Sequence, residues 1–394
     1  MQSTCHNKSV KAPCVSHLVA NNIYRVFFFS FLFFSKQAFT MTEENTEMTS
    51  TEFDYSLLVA PCDKVDIHIT MKVFLCVLYI VLFTIGLIGN FLVVLTILKA
   101  GGQRSITDIF LLNLAISDLL FVLSLPFWAF YFIHEWTLGN LLCQIVSSLY
   151  SVALFGGMFF ITVISIDRYL AIVHATYAMK ARTIHRGYIT SAAIWTLAVL
   201  FAAPHFVFVQ ESEKRCTSLY PSHLETLWPV FSYMEMNIIG FVLPVCIMTF
   251  CYLGIIKTLF SCKNTRKKRA VKLILTVVIV FLLFWAPYHV SLFLQVLRIY
   301  DYFECASLRM LDYIVQVTET IAFSHCCLNP IIYTFASEKL RKFLCHLVLK
   351  CFSFVGFCGP CNKYRGTVPT PVPETALTSN HTQNTSDQDT FVLV

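Results

Sequence analysis

Asp167, Arg168 and Tyr169 stand together where a long apolar run gives way to a basic loop. Placing a carboxylate and a guanidinium at the edge of hydrocarbon is costly, so such a group marks a functional site. Two further carboxylates, Asp118 and Glu319, interrupt apolar runs at depth, where each needs a partner, a cation or a proton. Trp285-Ala286-Pro287 and Asn329-Pro330-Ile331-Ile332-Tyr333 set helix-breaking prolines beside an indole, an amide and a phenol. Proline frees a backbone carbonyl and permits a local kink, and Pro126 and Pro244 repeat the pattern in other runs. The chemistry these residues suit is a change of shape. Asn90 reads as a structural hydrogen bond between helices.

Two cysteine motifs suggest other chemistries and fail on context. His325-Cys326-Cys327 has metal-ligand types but no further ligands at metal spacing, so it reads as core packing and no metal is expected. Cys358-Gly359-Pro360-Cys361 has the spacing of a redox pair, which needs a strand-to-helix setting. It trails a short amphipathic segment instead, and together with Cys345 and Cys351 reads as a palmitoylation region. No nucleophile, base and metal can be assembled into a catalytic set, so neither an enzyme nor a cofactor is expected.

The elements that must position these residues are membrane helices. Hydrophobic residues make up 57% of the 394 and charged residues only 13%, about half the charged share of soluble domains. Seven stretches offer the 20 or so apolar residues needed to cross hydrocarbon: 73–98, 107–132, 141–173, 188–209, 227–259, 271–296 and 311–335. They are continuous and too long for barrel strands, so the fold class is an all-α seven-helix membrane bundle. No internal repeat or polar pore stripe supports a transporter or channel.

Orientation follows the short loops. Lys99 and Arg104, then Lys180, Arg182 and Arg186, then Lys263, Arg266, Lys267, Lys268 and Arg269 all fall on one side. The positive-inside rule puts that side in the cytoplasm, with the N-terminus outside and the C-terminus within. The net charge of +6 is thereby gathered at the inner face, toward acidic lipid and protein partners rather than nucleic acid.

Five divisions are expected. Residues 1–40 read either as a signal-like segment, with an apolar core at 26–34 after Arg25, or as lying upstream of a translation start at Met41. The second reading is preferred. Residues 41–72 form an acidic arm carrying Glu43, Glu44, Glu47, Glu52, Asp54 and Tyr55, and 73–335 hold the bundle. In 336–351, Leu340, Phe343, Leu344 and Leu347 share a face, which suits a helix lying on the membrane surface. Residues 352–394 are rich in Ser, Thr and Pro and should be disordered. Cys62, Cys143, Cys216 and Cys305 fall on the outer side, where disulfides persist. Four cysteines allow three pairings and sequence does not choose. Their positions favour Cys143 with Cys216, which leaves Cys62 to Cys305 and would tie the first helix to the last.

These motifs together resemble the rhodopsin-like (class A) G-protein-coupled receptors. The likeness is carried by Gly89-Asn90, Asp118, Asp167-Arg168-Tyr169, Trp195, Pro244 with Tyr252, Trp285-Ala286-Pro287 and Asn329 to Tyr333. Within that class the chain is similar to chemokine receptors, through Ser124-Leu125-Pro126, Trp136-Thr137-Leu138-Gly139, His325 to Pro330 and the extra outer cysteines 62 and 305.

The resemblance implies a chemokine ligand caught in two steps, first by the acidic arm with Glu52, Asp54 and a sulfated Tyr55, then by Tyr79, Trp128, Tyr150 and Glu319. It implies that Asp167, Arg168, Tyr169, Tyr252, Trp285, Pro287, Asn329, Pro330 and Tyr333 form the switch that engages an inhibitory heterotrimeric G protein. Arg168 would leave Asp167 on activation and reach toward Tyr252 and Tyr333. It implies phosphorylation at Thr382, Thr385, Ser386 and Thr390 by receptor kinases, followed by arrestin. Asp118 marks a sodium site in that class, although Gly157 and His325 replace the usual Ser and Asn there. A scavenger that binds chemokine without signalling is the rival, and such decoys usually alter the Asp-Arg-Tyr triplet, intact here.

Overall fold

The computed structural model describes residues 69–99, 105–260, 265–303 and 305–336, with side chains described except at 69–71, 265–277, 305–309 and 333–336. The spans are α1 (Ile69–Lys99), α2 (Ile106–His134), α3 (Asn140–Val173), α5 (Ile184–Phe208), α8 (Thr265–Ile299) and α9 (Cys305–Ala336). A short helix, α4 (Ala175–Ala181), follows α3, and the fifth span is α6 (Leu227–Asn237) continued by α7 (Leu243–Phe260). Between α5 and α6 lie two strands, β1 (Val209–Ser212) and β2 (Arg215–Ser218).

The bundle inverts the soluble pattern. Phe91, Leu200, Phe250 and Leu253 are exposed on its flanks, whereas Asn90, Ser117, Asp118, Asp167, His325 and Asn329 are buried. An apolar exterior around a polar seam is what hydrocarbon solvent selects. Six helices among the described residues are long and apolar enough to cross a membrane. The seventh span, α9, is diluted by Gln316, Glu319, His325 and Asn329, which face inward toward partners described below.

Helix α3 is the hub, packing on α2, α5 and α7, while α8 packs on α9 and α9 returns to α1. That return closes the ring within the bundle itself. Asn90 Nδ2 donates to Cys326 O at 3.2 Å, and Cys327 Sγ donates to Leu82 O at 3.3 Å. The close approach needs glycine: a Cβ on Gly89 would lie 3.0 Å from Pro330 Cγ. The Cys62–Cys305 bond proposed for the same task lies outside the described side chains.

Local sequence explains the ends and bends. Ser105 caps α2 by accepting from Asp108 N at 3.1 Å while Asp108 Oδ2 accepts from Ser105 N at 3.0 Å, a reciprocal capping box. Pro126, Pro287 and Pro330 lie inside helices as expected, and Pro204 is a further one that sequence reading passed over. Pro244 acts differently. Its missing N–H and its clash with the carbonyl four residues back are absorbed by a π turn over Ile238–Val242. The fourth span was expected to reach Val209, but the helix stops at Phe208 and Val209 begins β1.

Candidate functional site

The two ends of the bundle carry different chemistry. At one end β1 and β2 form a hairpin with Ser212 opposite Arg215, closed by Glu213 and Lys214 at φ 49° and 59°. Two left-handed residues in succession are the geometry of a two-residue hairpin turn. Three ties hold it over the bundle: the Cys143–Cys216 disulfide, Trp136 N to Lys214 O at 2.8 Å, and Glu211 N to Asn140 Oδ1 at 2.9 Å. Trp136 is fully buried beneath it with Cys143, Val146 and Val209. The favoured Cys143–Cys216 bond is therefore formed, and the hairpin built on it had no strand-like signal in the sequence.

Below the hairpin the predicted pocket residues meet. Tyr79, buried at 2% exposure, anchors a cluster against which Trp128 and Tyr150 pack. Tyr150 OH donates to Glu319 Oε1 and faces Tyr288 OH, each at 3.5 Å, while Gln316 Nε2 donates to Tyr79 OH at 3.3 Å. Phe121, Tyr150 and Phe323 form an aromatic triangle under this group, with ring centroids 4.9–5.8 Å apart. Glu319 thus sits as a carboxylate held loosely by a phenol, with no cation beside it among the described residues. Such a group can receive a positively charged ligand. Tyr288, directly after Trp285-Ala286-Pro287, and Gln316, outside any motif, were missed by sequence reading.

Midway down, Asp118 finds its partner in Asn329, whose Nδ2 donates to Asp118 Oδ2 at 2.8 Å. A cavity of about 30 Å³ adjoins them, lined also by Gly157, Trp285 and His325, room for a water or two. Gly157 brings no side-chain oxygen, and His325 is packed among the rings of Phe281, Phe284 and Trp285. The side chains here supply one carboxylate and one amide, few of the oxygen donors a sodium ion takes, and the donor set does not fit one. Trp285 sits two residues before Pro287 in α8 with its indole N–H unpaired among the described residues.

At the opposite end lies the Asp167-Arg168-Tyr169 triplet, and it departs from expectation. Asp167 is 4% exposed and does not pair with Arg168. Arg182, at the end of α4, donates through Nε to Oδ1 at 2.7 Å and through Nη2 to Oδ2 at 2.9 Å. Thr107 Oγ1 donates to Oδ2 at 2.7 Å. Tyr252 shares a hydrogen bond with Ser165 at 2.9 Å, and Tyr169 one with His174 at 3.3 Å. The physical reason is helical geometry: neighbours in a helix point about 100° apart, while a loop returning from fifteen residues on can meet the carboxylate head-on.

The side chains of Tyr333 and Cys305, the arm with Glu52, Asp54, Tyr55 and Cys62, the surface segment 337–351 and Thr382, Thr385, Ser386 and Thr390 lie outside the described residues.

Comparison with known proteins decides the family. The 7 transmembrane receptor (rhodopsin family) pattern matches residues 89–333, well over half of the chain. The chain belongs to the rhodopsin family of seven-transmembrane receptors. It is 47% identical to CX3C chemokine receptor 1 of Bos taurus over 353 residues, covering 88% of this chain and 98% of that one. To CX3C chemokine receptor 1 of Homo sapiens it is 47% identical over 360 residues, covering 88% and 99%. C-C chemokine receptor type 4 of Homo sapiens follows at 44% over 348 residues, covering 86% and 94%. Within the rhodopsin family it is therefore a chemokine receptor, a multi-pass membrane protein rather than an enzyme.

Proposed function

We propose that the chain is a plasma-membrane receptor for a CX3C-type chemokine, fractalkine, and activates an inhibitory heterotrimeric G protein. The observation that carries this reading is the end-to-end likeness to CX3C receptors together with an intact Asp167-Arg168-Tyr169 triplet. Four local segments resemble the fractalkine receptor further: residues 258–264, 272–275 and 299–303, and Thr385-Ser386-Asp387.

The hairpin end faces outward and the triplet end inward, since the basic loops adjoin the triplet. A basic chemokine is steered by Glu52, Asp54 and Tyr55 of the arm and then presents a cationic group to Glu319. Tyr150 orients that carboxylate, with Tyr79 and Trp128 packed in the same cluster. Insertion favours the packing in which α8 bends at Pro287, with Trp285 turning above the small cavity. The inner end of α8 then swings away, and Arg168 reaches toward Tyr252 and Tyr333. Binding signals only as far as the ligand prefers that packing over the resting one. Receptor kinases and arrestin act on Thr382, Thr385, Ser386 and Thr390, palmitoyl groups anchor the cysteines near 351, and chemotaxis and adhesion of immune cells follow.

A receptor for a CC-type chemokine is the second reading, favoured by the likeness to C-C chemokine receptor type 4. The test is competition binding of purified fractalkine against two CC chemokines on cells making the receptor, with cyclic AMP followed in parallel. Fractalkine binding with a fall in cyclic AMP supports the proposal. A CC chemokine winning the competition gives the second reading, and uptake without a cyclic AMP response makes the chain a scavenger.

A further inference from the structure

The grip on Asp167 has a consequence for Arg168. A carboxylate offers about four acceptor positions, and Arg182 with Thr107 fills three of them, in a site 4% exposed. Arg182 Nη2 also donates to Thr107 Oγ1 at 3.0 Å, so the three side chains form a closed set drawn from α2, α3 and the end of α4. The side-on Nε/Nη2 fork is the arrangement in which arginine binds a carboxylate most specifically. Arg168 makes no hydrogen bond or ion pair among the described residues. The carboxylate beside it is already held by Arg182 and Thr107 and offers it no hydrogen bond in this arrangement.

We propose that Arg182 is the positioning residue of the inner switch: by occupying Asp167 it leaves Arg168 uncommitted and ready for the G protein. The inference rests on the coupling reading above, and deepens it. Removing Arg182 strands a buried carboxylate next to Arg168, which is then drawn onto Asp167 and held in the resting arrangement. The same removal is harmless once Asp167 is itself neutral. A contact that merely supported the loop would not show that rescue.

The test uses the full chain in lipid nanodiscs, with chemokine binding measured as the check on folding. Agonist-driven nucleotide exchange on a purified inhibitory G protein is compared across Arg182→Ala, Arg182→Lys, Asp167→Asn and the double variant Arg182→Ala with Asp167→Asn. Arg182→Ala should slow exchange by roughly fivefold or more, Arg182→Lys by less, and the double variant should match Asp167→Asn alone. Spin-label distances between the inner ends of α3 and α8 should shorten in Arg182→Ala and recover in the double variant. An unchanged Arg182→Ala, or a double variant several-fold slower than Asp167→Asn alone with chemokine binding intact, would overturn the proposal. If the distances shift as stated while no variant drives exchange on any G protein, Arg182 keeps its role and the coupling reading fails instead.

Discussion

Individual residues show how far spacing alone can be read. Asp118 needed a partner at depth and has one in Asn329, two motif residues brought within 2.8 Å. Glu319 was legible as a carboxylate out of place, and its loose phenol partner leaves it free to take a cation. Glu319→Gln should therefore weaken fractalkine potency by roughly tenfold while cell-surface expression holds, and unchanged potency would remove Glu319 from the site. Trp195 was recognised only by resemblance. Its Nε1 donates to Asn113 Oδ1 at 2.9 Å, and Asn113 in turn donates to Ser191, joining α5 to α2. Trp195→Phe keeps the ring and strands that acceptor, at a cost of about 1–3 kcal/mol, to be read as a lower unfolding midpoint in detergent. Arg182 was visible only as one charge in a basic loop. No pattern in the chain says that a seven-residue helix will turn it back onto Asp167.

Among the elements, length and apolarity located the spans, because hydrocarbon imposes both and little else competes. What escaped was built on irregular backbone. The hairpin turn uses Glu213 and Lys214 at positive φ where glycine or asparagine would have announced it, and the π turn answers a proline that looked like a simple kink. The hairpin depends on Cys143–Cys216, a cross-link spanning 73 residues. Cys143→Ser should abolish chemokine binding and cost roughly 4 kcal/mol of stability, whereas circular dichroism should show the helices retained. Ser105→Ala removes one half of the capping box and should cost about 1 kcal/mol, a small fall in midpoint with ligand affinity unaffected.

Across the whole molecule a polar seam runs from Glu319 through Asp118 and Asn329 to Asp167, inside an apolar shell. Such a seam is expensive unless each member is paired, and the pairs drawn from different helices are the natural places for two packings to differ. With the basic loops turned to the cytoplasm, as proposed from the positive-inside rule, an antibody tag at the N-terminus should be accessible on intact cells and a C-terminal tag only after permeabilisation. Arg168 is where the chemokine's signal is proposed to leave the bundle. Arg168→Ala receptors in nanodiscs, supplied with fractalkine and purified inhibitory G protein, should bind chemokine normally and fail to accelerate nucleotide exchange. Full acceleration by that variant would contradict that proposal.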